Sequence, residues 1–487
     1  MELKDRYDTV VIGAGLGGLT CGAYLAKNNQ SVLVAERRTK PGGIASSFEQ
    51  NGYISDNGLC FLLGAQPGGV IYETLEELGL GGRLELTKME PAMRIVGPDY
   101  DLPINSPESF ENLINDFPTE ADSIRRFVAE SKSVATVSES ILRKSFDLMS
   151  PFQKIAFFIT LLLRYRRFMK YMRKSWLEVV NGFFKSPRLR AIALSTMCYY
   201  GTGVMGTMIS TLGFTDKFNY PKGGFQAVAN LLVDGIREHG GDLTLDTMVT
   251  KIIIDDNKAI GVELSNGRQV WARNIVSNVD ARQTFLKLVG EDHLSMKFRR
   301  KLDEEELSPP GFLVSLGVNM NLKEMGFDSA IIIYNPNDDI DELFGTDPEK
   351  CILSILMHSN NDHSRAPANA TAVDLLAVLP YDLVEDWEAE EEAIADKLIK
   401  SAEKIIPELS KHVVCKHIVS PLAYEQRTLN SQGAQLGWQL TPGGKIRSQK
   451  TPIKNLYQAG QWTYPSGGMP QVIASGRNAA RLVLKAV

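Results

Sequence analysis

The chain opens on an apolar stretch, Tyr7-Asp-Thr-Val-Val-Ile12, that runs straight into Gly13-Ala-Gly15-Leu-Gly-Gly18. That order predicts a short buried strand, a tight turn and a helix, with a second strand over Val32-Leu-Val-Ala35 stopping at Glu36. Pro41-Gly42-Gly43 closes the unit, and Phe48 to Leu63 reads as two short extended pieces turned by Gly52 and Gly58. Val70, Leu75 and Leu78, with charges between them, predict a helix ended by Gly79. Pro98-Asp-Tyr-Asp-Leu-Pro103 marks a hairpin tip, and Ser106-Pro107 caps a further helix.

From about residue 119 to 200 the pattern is helical and poor in glycine. Phe158, Leu161, Leu162, Tyr165, Phe168, Met169, Met172 and Trp176 fall on one side of a single helix, and Arg166, Arg167, Lys170, Arg173 and Lys174 on the other. From Pro221 the elements alternate again: a helix over 225–239, then extended runs at 243–245, 249–255 and 259–264. Asn266-Gly267 is a hairpin signal, 269–271 returns from it, and the block ends at Asn278. The acidic cluster Asp303 to Glu306, followed by Pro309-Pro310, marks a boundary. Beyond it, 312–318, 330–334, 351–357 and 372–379 read as strands of one sheet, antiparallel because the links lack long helices. Residues 385–406 follow as a helix, acidic first and lysine-bearing later, as the helix dipole favours. Near the end, Asn455-Leu-Tyr-Gln-Ala predicts a strand into Gly460, then a turn through Gly467-Gly468 and a helix from Ile473 onward.

The 487 residues exceed one ordinary core, so two or three domains are expected. A hydrophobic share of 44% and a charged share of 23% describe a globular protein, and a net charge of −5 gives no reason to expect nucleic acid. Cys21, Cys60, Cys198, Cys351 and Cys415 are scattered without metal or C-x-x-C spacing, which implies a reducing, cytoplasmic setting and no cysteine nucleophile. The first strand starts without a charged-then-apolar leader, so a secretory signal is not expected. The longest apolar run, Ile155 to Leu163, falls short of the ~20 residues of a membrane span.

Charge is distributed unevenly. Lys154 to Arg190 carries ten basic residues and one acid, Glu178, so this piece is +9 and the rest of the chain −14. A basic amphipathic helix with aromatics on its apolar face fits a segment lying on an anionic membrane surface; the competing reading is a helix packed on its own domain with a solvated basic face.

The chemistry concentrates in the glycine turns. Gly13 permits a tight turn, Gly15 lets backbone N–H groups approach a pyrophosphate, and Gly18 lets the helix pack on the sheet. The helix N-terminus adds partial positive charge, and Glu36, 23 residues after Gly13, is placed to accept from ribose hydroxyls. This is a dinucleotide site, with NAD, NADP and FAD open. Gly201-Thr-Gly-Val-Met-Gly206 repeats the spacing, but helical sequence precedes it and no acid follows about 20 residues on, so no second nucleotide site is expected. His358, Asp362 and His363 lack a third metal partner, and no metal is expected. The Gly460 to Val472 turn forms a second strand-turn-helix cradle at the other end of the chain, so both ends belong to one domain.

Gly13-x-Gly15-x-x-Gly18 with Glu36 and Gly42-Gly43, joined to Asn455-Leu-Tyr-x-Ala-Gly460 and Gly467-Gly468-Met469-Pro470, resembles the phytoene desaturase-like flavoenzymes. That group includes retinol saturases and carotenoid cis-trans isomerases and is related more distantly to the flavin amine oxidases. The resemblance covers both ends and the 221–280 block. It implies an α/β fold: a Rossmann-like FAD-binding domain of the glutathione reductase and amine oxidase type, assembled from 1–87, 213–300 and 405–487. A discontinuous substrate domain of mixed sheet plus helices, 88–212 and 301–404, would complete it, with 119–200 helical and membrane-contacting. It also implies noncovalent FAD. Gly13, Gly15 and Gly18 would approach the pyrophosphate, Glu36 the adenosine ribose, and Gly42-Gly43 would form a second phosphate turn with Arg37 or Arg38 beside it. Val249 would offer backbone contacts to the adenine, Gly460 and Gln461 would meet the ribityl region, and Gly468, Met469 and Val472 would lie by the isoalloxazine. Many relatives carry a carboxylate where this chain has Gln461, whose amide can still donate to and accept from ribityl hydroxyls.

The activity this implies is oxidation or reduction at C–C bonds of a long apolar isoprenoid or polyene, as in carotenoid desaturation, by a peripheral membrane enzyme with a quinone or oxygen as electron acceptor. A retinol saturase-like reductase and a reduced-flavin cis-trans isomerase are the alternatives. A non-enzymatic lipid-binding module, as in the distantly similar inhibitors of small GTPases, is disfavoured by the intact glycine turns. For acid or base work, Tyr424, Glu425 and Arg427 precede the flavin turn and are the candidates, against the reading that they form hydrogen bonds at a domain junction.

Overall fold

The computed structural model describes residues 3–143, 145–197, 199, 201–444 and 447–486. Strand β1 (Arg6–Ile12) pairs in parallel with β2 (Val32–Ala35) on one side and with Gln269–Ser277 on the other. Gln269–Ser277 pairs in turn with Leu456–Gln458, also in parallel, which brings the end of the chain next to its beginning. Asp242–Thr244 extends the sheet beyond β2, and Val249–Asp255 and Lys258–Leu264 add antiparallel strands at the opposite edge.

β1 and β2 are apolar without alternation because both faces of a parallel sheet are covered. On one face lies α1 (Leu16–Lys27), buried along eleven of its twelve residues. It has no solvated stripe because helices Phe225–Glu238 and Met469–Ala486 flank it. A Cβ on Gly476 would stand 2.1 Å from the Gly17 carbonyl oxygen, so glycine there sets how closely the first and last helices approach.

The second sheet runs in the order Val413–Val419, Gly311–Val318, Thr371–Val378, Leu353–Leu356, Ile331–Tyr334, Met93–Gly97, Tyr100–Ile104. The four strands expected from sequence pair antiparallel. Two additions were not legible. The hairpin at 93–104 joins this sheet by a parallel pairing with Ile331–Tyr334, and Val413–Val419, mostly half-buried and with little apolar pattern, forms the far edge. Helix Trp387–Ala402 covers one face. From the other side Ser55 donates to Asp374 at 2.8 Å, tying the second sheet to the segment that leaves the first.

The region between carries the main correction. The expected single amphipathic helix is broken into Pro151–Arg164, Arg166–Tyr171 and Trp176–Asn181. Tyr165 leaves the helical region at φ −116° and ψ 34°, and Ser175 caps a new helix by accepting from the Glu178 N–H. The break rotates the faces apart. Leu161, Phe168 and Trp176 are buried, whereas Phe158 and Leu162 point outward. Part of the basic stripe is spent internally: Arg167 pairs with Glu130, and Arg188 with Asp99 and Asp338. No helix among the described residues is long and apolar enough to cross a membrane. Cys21, Cys60 and Cys351 are buried and Cys415 is half-buried; Cys198 lies outside the described residues.

Candidate active site

The C-terminal ends of β1, β2 and Gln269–Ser277 meet at an open cleft. Three backbone turns form it. Gly13 holds φ +90°, a conformation open to glycine, and turns β1 into α1. The Gly42 N–H donates to the Ala14 carbonyl at 2.7 Å, seating the second turn on the first, and a Cβ on Gly43 would stand 3.3 Å from Gly15 Cα. A Cβ on Gly17 would stand 2.9 Å from the Gly460 backbone nitrogen, so the third turn closes on the same point. Gly18 faces inward, where a Cβ would strike the Gly13 carbonyl oxygen at 2.1 Å; its place is helix packing, while Gly13 and Gly15 line the cleft.

The polar groups around the turns have directed roles. Glu36 is buried, and its carboxylate accepts from the N–H groups of Ala14 at 2.8 Å and Arg38 at 2.9 Å, which fixes its orientation at the cleft wall. Arg37 donates to the carbonyl oxygens of Gln426 and Arg427. Arg38 reaches the Gly43 carbonyl at 3.3 Å and Ser46 Oγ at 3.2 Å. Arg427 donates to Asn57 Oδ1 at 2.6 Å and Ser46 Oγ at 3.4 Å, so two guanidinium groups share one serine. Among the described residues, none of the three arginines forms an ion pair. Burial, and next the Arg38 charge, push Arg427 down to about 10; burial lowers Arg38 too, against the pull of Glu36.

Half-buried cations outside any ion pair call for an anion. At roughly 4 Å and an effective dielectric of 20, one such pairing is worth about 4 kcal/mol before desolvation. A pyrophosphate placed among α1's first turn, Arg38 and Arg427 meets that need, and the glycine cradle leaves space for it that a Cβ would fill. The residues therefore fit a flavin dinucleotide.

Val249, Gln461, Gly468, Met469 and Val472 also line the cleft, so of the fourteen expected cofactor residues Gly18 alone lies behind it. The three acid-base candidates separate. Arg427 lines the cleft, whereas Tyr424 and Glu425 line neither it nor the neighbouring cavity. Tyr424 is fully buried, donates to the Asn57 carbonyl at 3.0 Å, and burial pushes its phenol up. Glu425 accepts from the Tyr381 hydroxyl and from the Gln432 N–H. Both make junction hydrogen bonds. Asn278 went unnoticed in the sequence. It follows the strand that pairs with β1, its backbone N–H donates to the Ile12 carbonyl at 2.9 Å, and its amide would be struck by a Cβ on Gly15, Gly17 or Gly460. Its position at the end of a parallel strand, where such sheets bind ligands, was the available signal.

Beside the cleft, across the turn 465–471, lies a largely apolar cavity. Phe146, Phe157, Leu161, Phe168, Met172 and Phe214 form its greasy side. Glu139, Arg143, Lys301, Glu304 and the Arg447–Glu305 ion pair add charged groups to its lining. Gly201 to Gly206 has no strand-turn-helix geometry; a Cβ on Gly206 would crowd Val179 and the carbonyls of Tyr171 and Lys174. His358 stacks on Tyr220 with its Nε2 2.8 Å from the Leu59 carbonyl oxygen, and Asp362 accepts from the Gly223 N–H. No group of metal-ligating side chains is assembled among the described residues.

Fold and site together define an FAD-dependent oxidoreductase with a nucleotide-binding sheet, a second sheet and an apolar cavity beside the dinucleotide cleft. The chain belongs to the flavin containing amine oxidoreductase family, whose sequence model matches residues 16–484. It is 26% identical to a chloroplastic prolycopene isomerase of Daucus carota over 97% of this chain and 79% of that one. It is 25% identical to a lycopene-forming phytoene desaturase of Pseudescherichia vulneris over 98% and 99% of the two chains. Among solved structures, an oxidoreductase from Methanosarcina mazei superposes with a TM-score of 0.67 at 17% identity, covering 98% of this chain and 100% of its own.

Proposed function

We propose that this enzyme acts on C–C bonds of a long apolar isoprenoid or polyene taken from an anionic membrane surface. The observation that carries the reading is adjacency: the apolar cavity and the dinucleotide cleft share the wall formed by residues 465–472. The names of the curated relatives, desaturases and isomerases of carotenoids, support the same substrate class.

In this reading 1–87, 213–300 and 420–487 form the cofactor domain, and 88–212 with 301–419 the substrate domain; the boundary expected at 405 moves past Val419 because Val413–Val419 pairs with Gly311–Val318 in the second sheet. Glu36 holds the ribose hydroxyls; Gly13, Gly15, Gly42, Gly43, Arg38 and Arg427 hold the pyrophosphate, with Gly18 behind them and Arg37 fixing Arg427 through its carbonyl. Val249 borders the adenine, Gly460 and Gln461 the ribityl chain, and Gly468, Met469 and Val472 the ring. When bound, FAD supplies hydride exchange. The chain's own contribution is position and dryness: phenylalanines, leucines and methionines exclude water from the cavity, and neither Tyr424 nor Glu425 moves a proton there.

Helix Pro151–Arg164 provides the membrane route. Its inner residues Phe157 and Leu161 line the cavity, while Phe152 is 84% and Leu163 76% exposed on the outer side. An exposed apolar face in a segment of strongly basic sequence fits an anionic bilayer. A quinone or oxygen is the proposed electron acceptor, since the dinucleotide cleft among the described residues is the site FAD itself would take.

Anaerobic incubation of the FAD-loaded protein, with the flavin oxidised and in parallel chemically reduced, with phytoene, lycopene isomers and retinol, following flavin spectrum and product mass together, tests the reading. Loss of two hydrogens identifies a desaturase, gain of two a saturase, and unchanged mass with a shifted double-bond geometry an isomerase. No change in flavin or lipid with any of the three would sink the proposal. Failure to sediment with anionic vesicles would remove the membrane step alone.

A further inference from the structure

Asn278 stands where the first and third glycine turns converge. A Cβ added to Gly15 would lie 2.8 Å from its Nδ2, and a Cβ on Gly17 or Gly460 would lie 2.6 or 2.5 Å from its Oδ1. Behind them, a Cβ on Gly18 would meet the Asn278 Cβ at 3.1 Å. Four glycines therefore leave the room that this side chain fills. Its backbone N–H, donating to the Ile12 carbonyl at 2.9 Å, fixes the strand end from which the side chain departs. Room alone would be filled as well by leucine, which is similar in size and asks for no hydrogen bond.

The protein leaves most of this amide's capacity unused. Among the described residues its side chain makes one hydrogen bond, a long one from Nδ2 to the Gly13 carbonyl oxygen at 3.5 Å. A primary amide offers two N–H donors and an acceptor oxygen, so a donor and Oδ1 are left over. The residue is half-buried and lines the cleft, so both are available to a ligand there. The Gly13 contact also sets which way the amide faces, because turning it over would oppose two carbonyl oxygens. The donor thus lies on the Gly13 and Gly15 side, where the proposed site holds the pyrophosphate, and the acceptor on the Gly460 side, where it holds the ribityl chain. A donor toward an anion and an acceptor toward hydroxyls is a match that an amide allows and that neither a carboxylate nor an apolar side chain can make.

We propose that Asn278 is a cofactor-binding residue that joins the two halves of the split site, its Nδ2 donating to the FAD pyrophosphate and its Oδ1 accepting from a ribityl hydroxyl. This rests on the cofactor placement proposed above and is independent of the substrate.

The FAD-loaded full chain is equilibrated at falling protein concentration, with released flavin read by fluorescence. Competition with ADP, which carries the pyrophosphate without the ribityl chain, gives the affinity for that half alone. Asn278→Asp keeps the shape and the acceptor but loses the donor and sets a negative charge against the pyrophosphate. It should weaken FAD binding about 30-fold and ADP binding about tenfold, with the melting temperature at saturating FAD within a few degrees of the unaltered protein. Asn278→Leu, which loses both hydrogen bonds and adds no charge, should weaken FAD about tenfold and ADP less. A spacer that only holds the turns apart predicts the opposite order, with aspartate tolerated better than leucine. Binding of FAD and ADP by Asn278→Asp within threefold of the unaltered protein overturns the inference and leaves the cofactor placement standing. A loss for FAD with none for ADP also overturns it, because the amide then does not face the pyrophosphate. If Asn278→Asp does not fold, Asn278→Leu carries the test, and unchanged FAD binding by that variant overturns the inference. Retention of neither FAD nor ADP by the unaltered protein overturns the cofactor placement and this inference with it.

Discussion

The dinucleotide cleft and the apolar cavity adjoin each other but are built by different means. The cleft is made of backbone. Its walls are turns at Gly13 to Gly18, Gly42-Gly43 and Gly460, each close enough to the next that a single Cβ separates them. The cavity is made of side chains contributed by separate helical pieces between 138 and 214 and by the 439–471 segment. A backbone site tolerates few residue types, whereas an apolar wall accepts any hydrophobe of suitable volume. Change should therefore be close to all-or-none in the cleft and graded in the cavity.

The hardest test of that contrast is Gly17→Val. The new side chain meets the Gly460 backbone at 2.9 Å, so FAD affinity should fall at least about a hundredfold, read as flavin retained through gel filtration. Retention within tenfold of the unaltered protein would show that the turns do not meet as described. Arg427→Met sharpens the electrostatic half. Loss of one charge-assisted contact of about 1.5–3 kcal/mol predicts roughly 10- to 150-fold weaker FAD binding, with a flatter dependence on salt, in a fluorescence titration. An unchanged salt dependence would mean that Arg427 faces no anion.

On the cavity side, Phe157→Ala should leave FAD affinity within twofold and weaken binding of an apolar ligand by about tenfold, from the apolar area it gives up. A loss of FAD in this variant would erase the distinction between the two spaces. Further out, Phe152→Ser with Leu163→Ser should reduce sedimentation with anionic vesicles several-fold while flavin content and melting temperature hold, because both side chains are already in water. The smallest effect concerns the junction between the two sheets. Burial raises the Asp374 carboxyl from 3.8 to about 6, countered by hydrogen bonds from Ser315 and Ser55. Between those pH values the folded protein keeps a proton that the unfolded chain has released, so this group's contribution to stability is complete below about 4 and is lost as pH rises toward 6. Asp374→Asn should flatten that part of the melting-temperature profile, and a slope as steep as before would assign it to other groups.

The contrast also explains how much could be read in advance. Short-range constraint leaves short-range marks: a glycine needed at φ +90° after an apolar strand, or an acid at the end of the next strand, shows in the letters themselves. Glu36, the three turns and the four antiparallel strands were legible for that reason. Asn278 was not, because its importance comes from the parallel pairing of Gln269–Ser277 with β1, some 260 positions away. Tyr424, Glu425 and Arg427 sit within four positions of each other, yet Arg427 alone reaches the cleft, since the helix Pro421–Thr428 aims its side chains at different neighbours.

Residues 119 to 200 mark the limit. Their sequence determined that they would be helical, apolar on one side and basic overall, because helix periodicity and charge are sums over neighbours along the chain. Tertiary structure decided where the helix breaks at Tyr165, which aromatics turn inward to make a cavity and which stay in water, and which arginines are neutralised by Glu130, Asp99 and Asp338. Those outcomes depend on what packs against each face, and hydrophobic burial and ion pairing are indifferent to how far apart in the chain the partners lie. The sequence thus determined the glycine turns of the dinucleotide cleft and the flavoenzyme class, whereas the shape of the apolar cavity was settled by long-range packing.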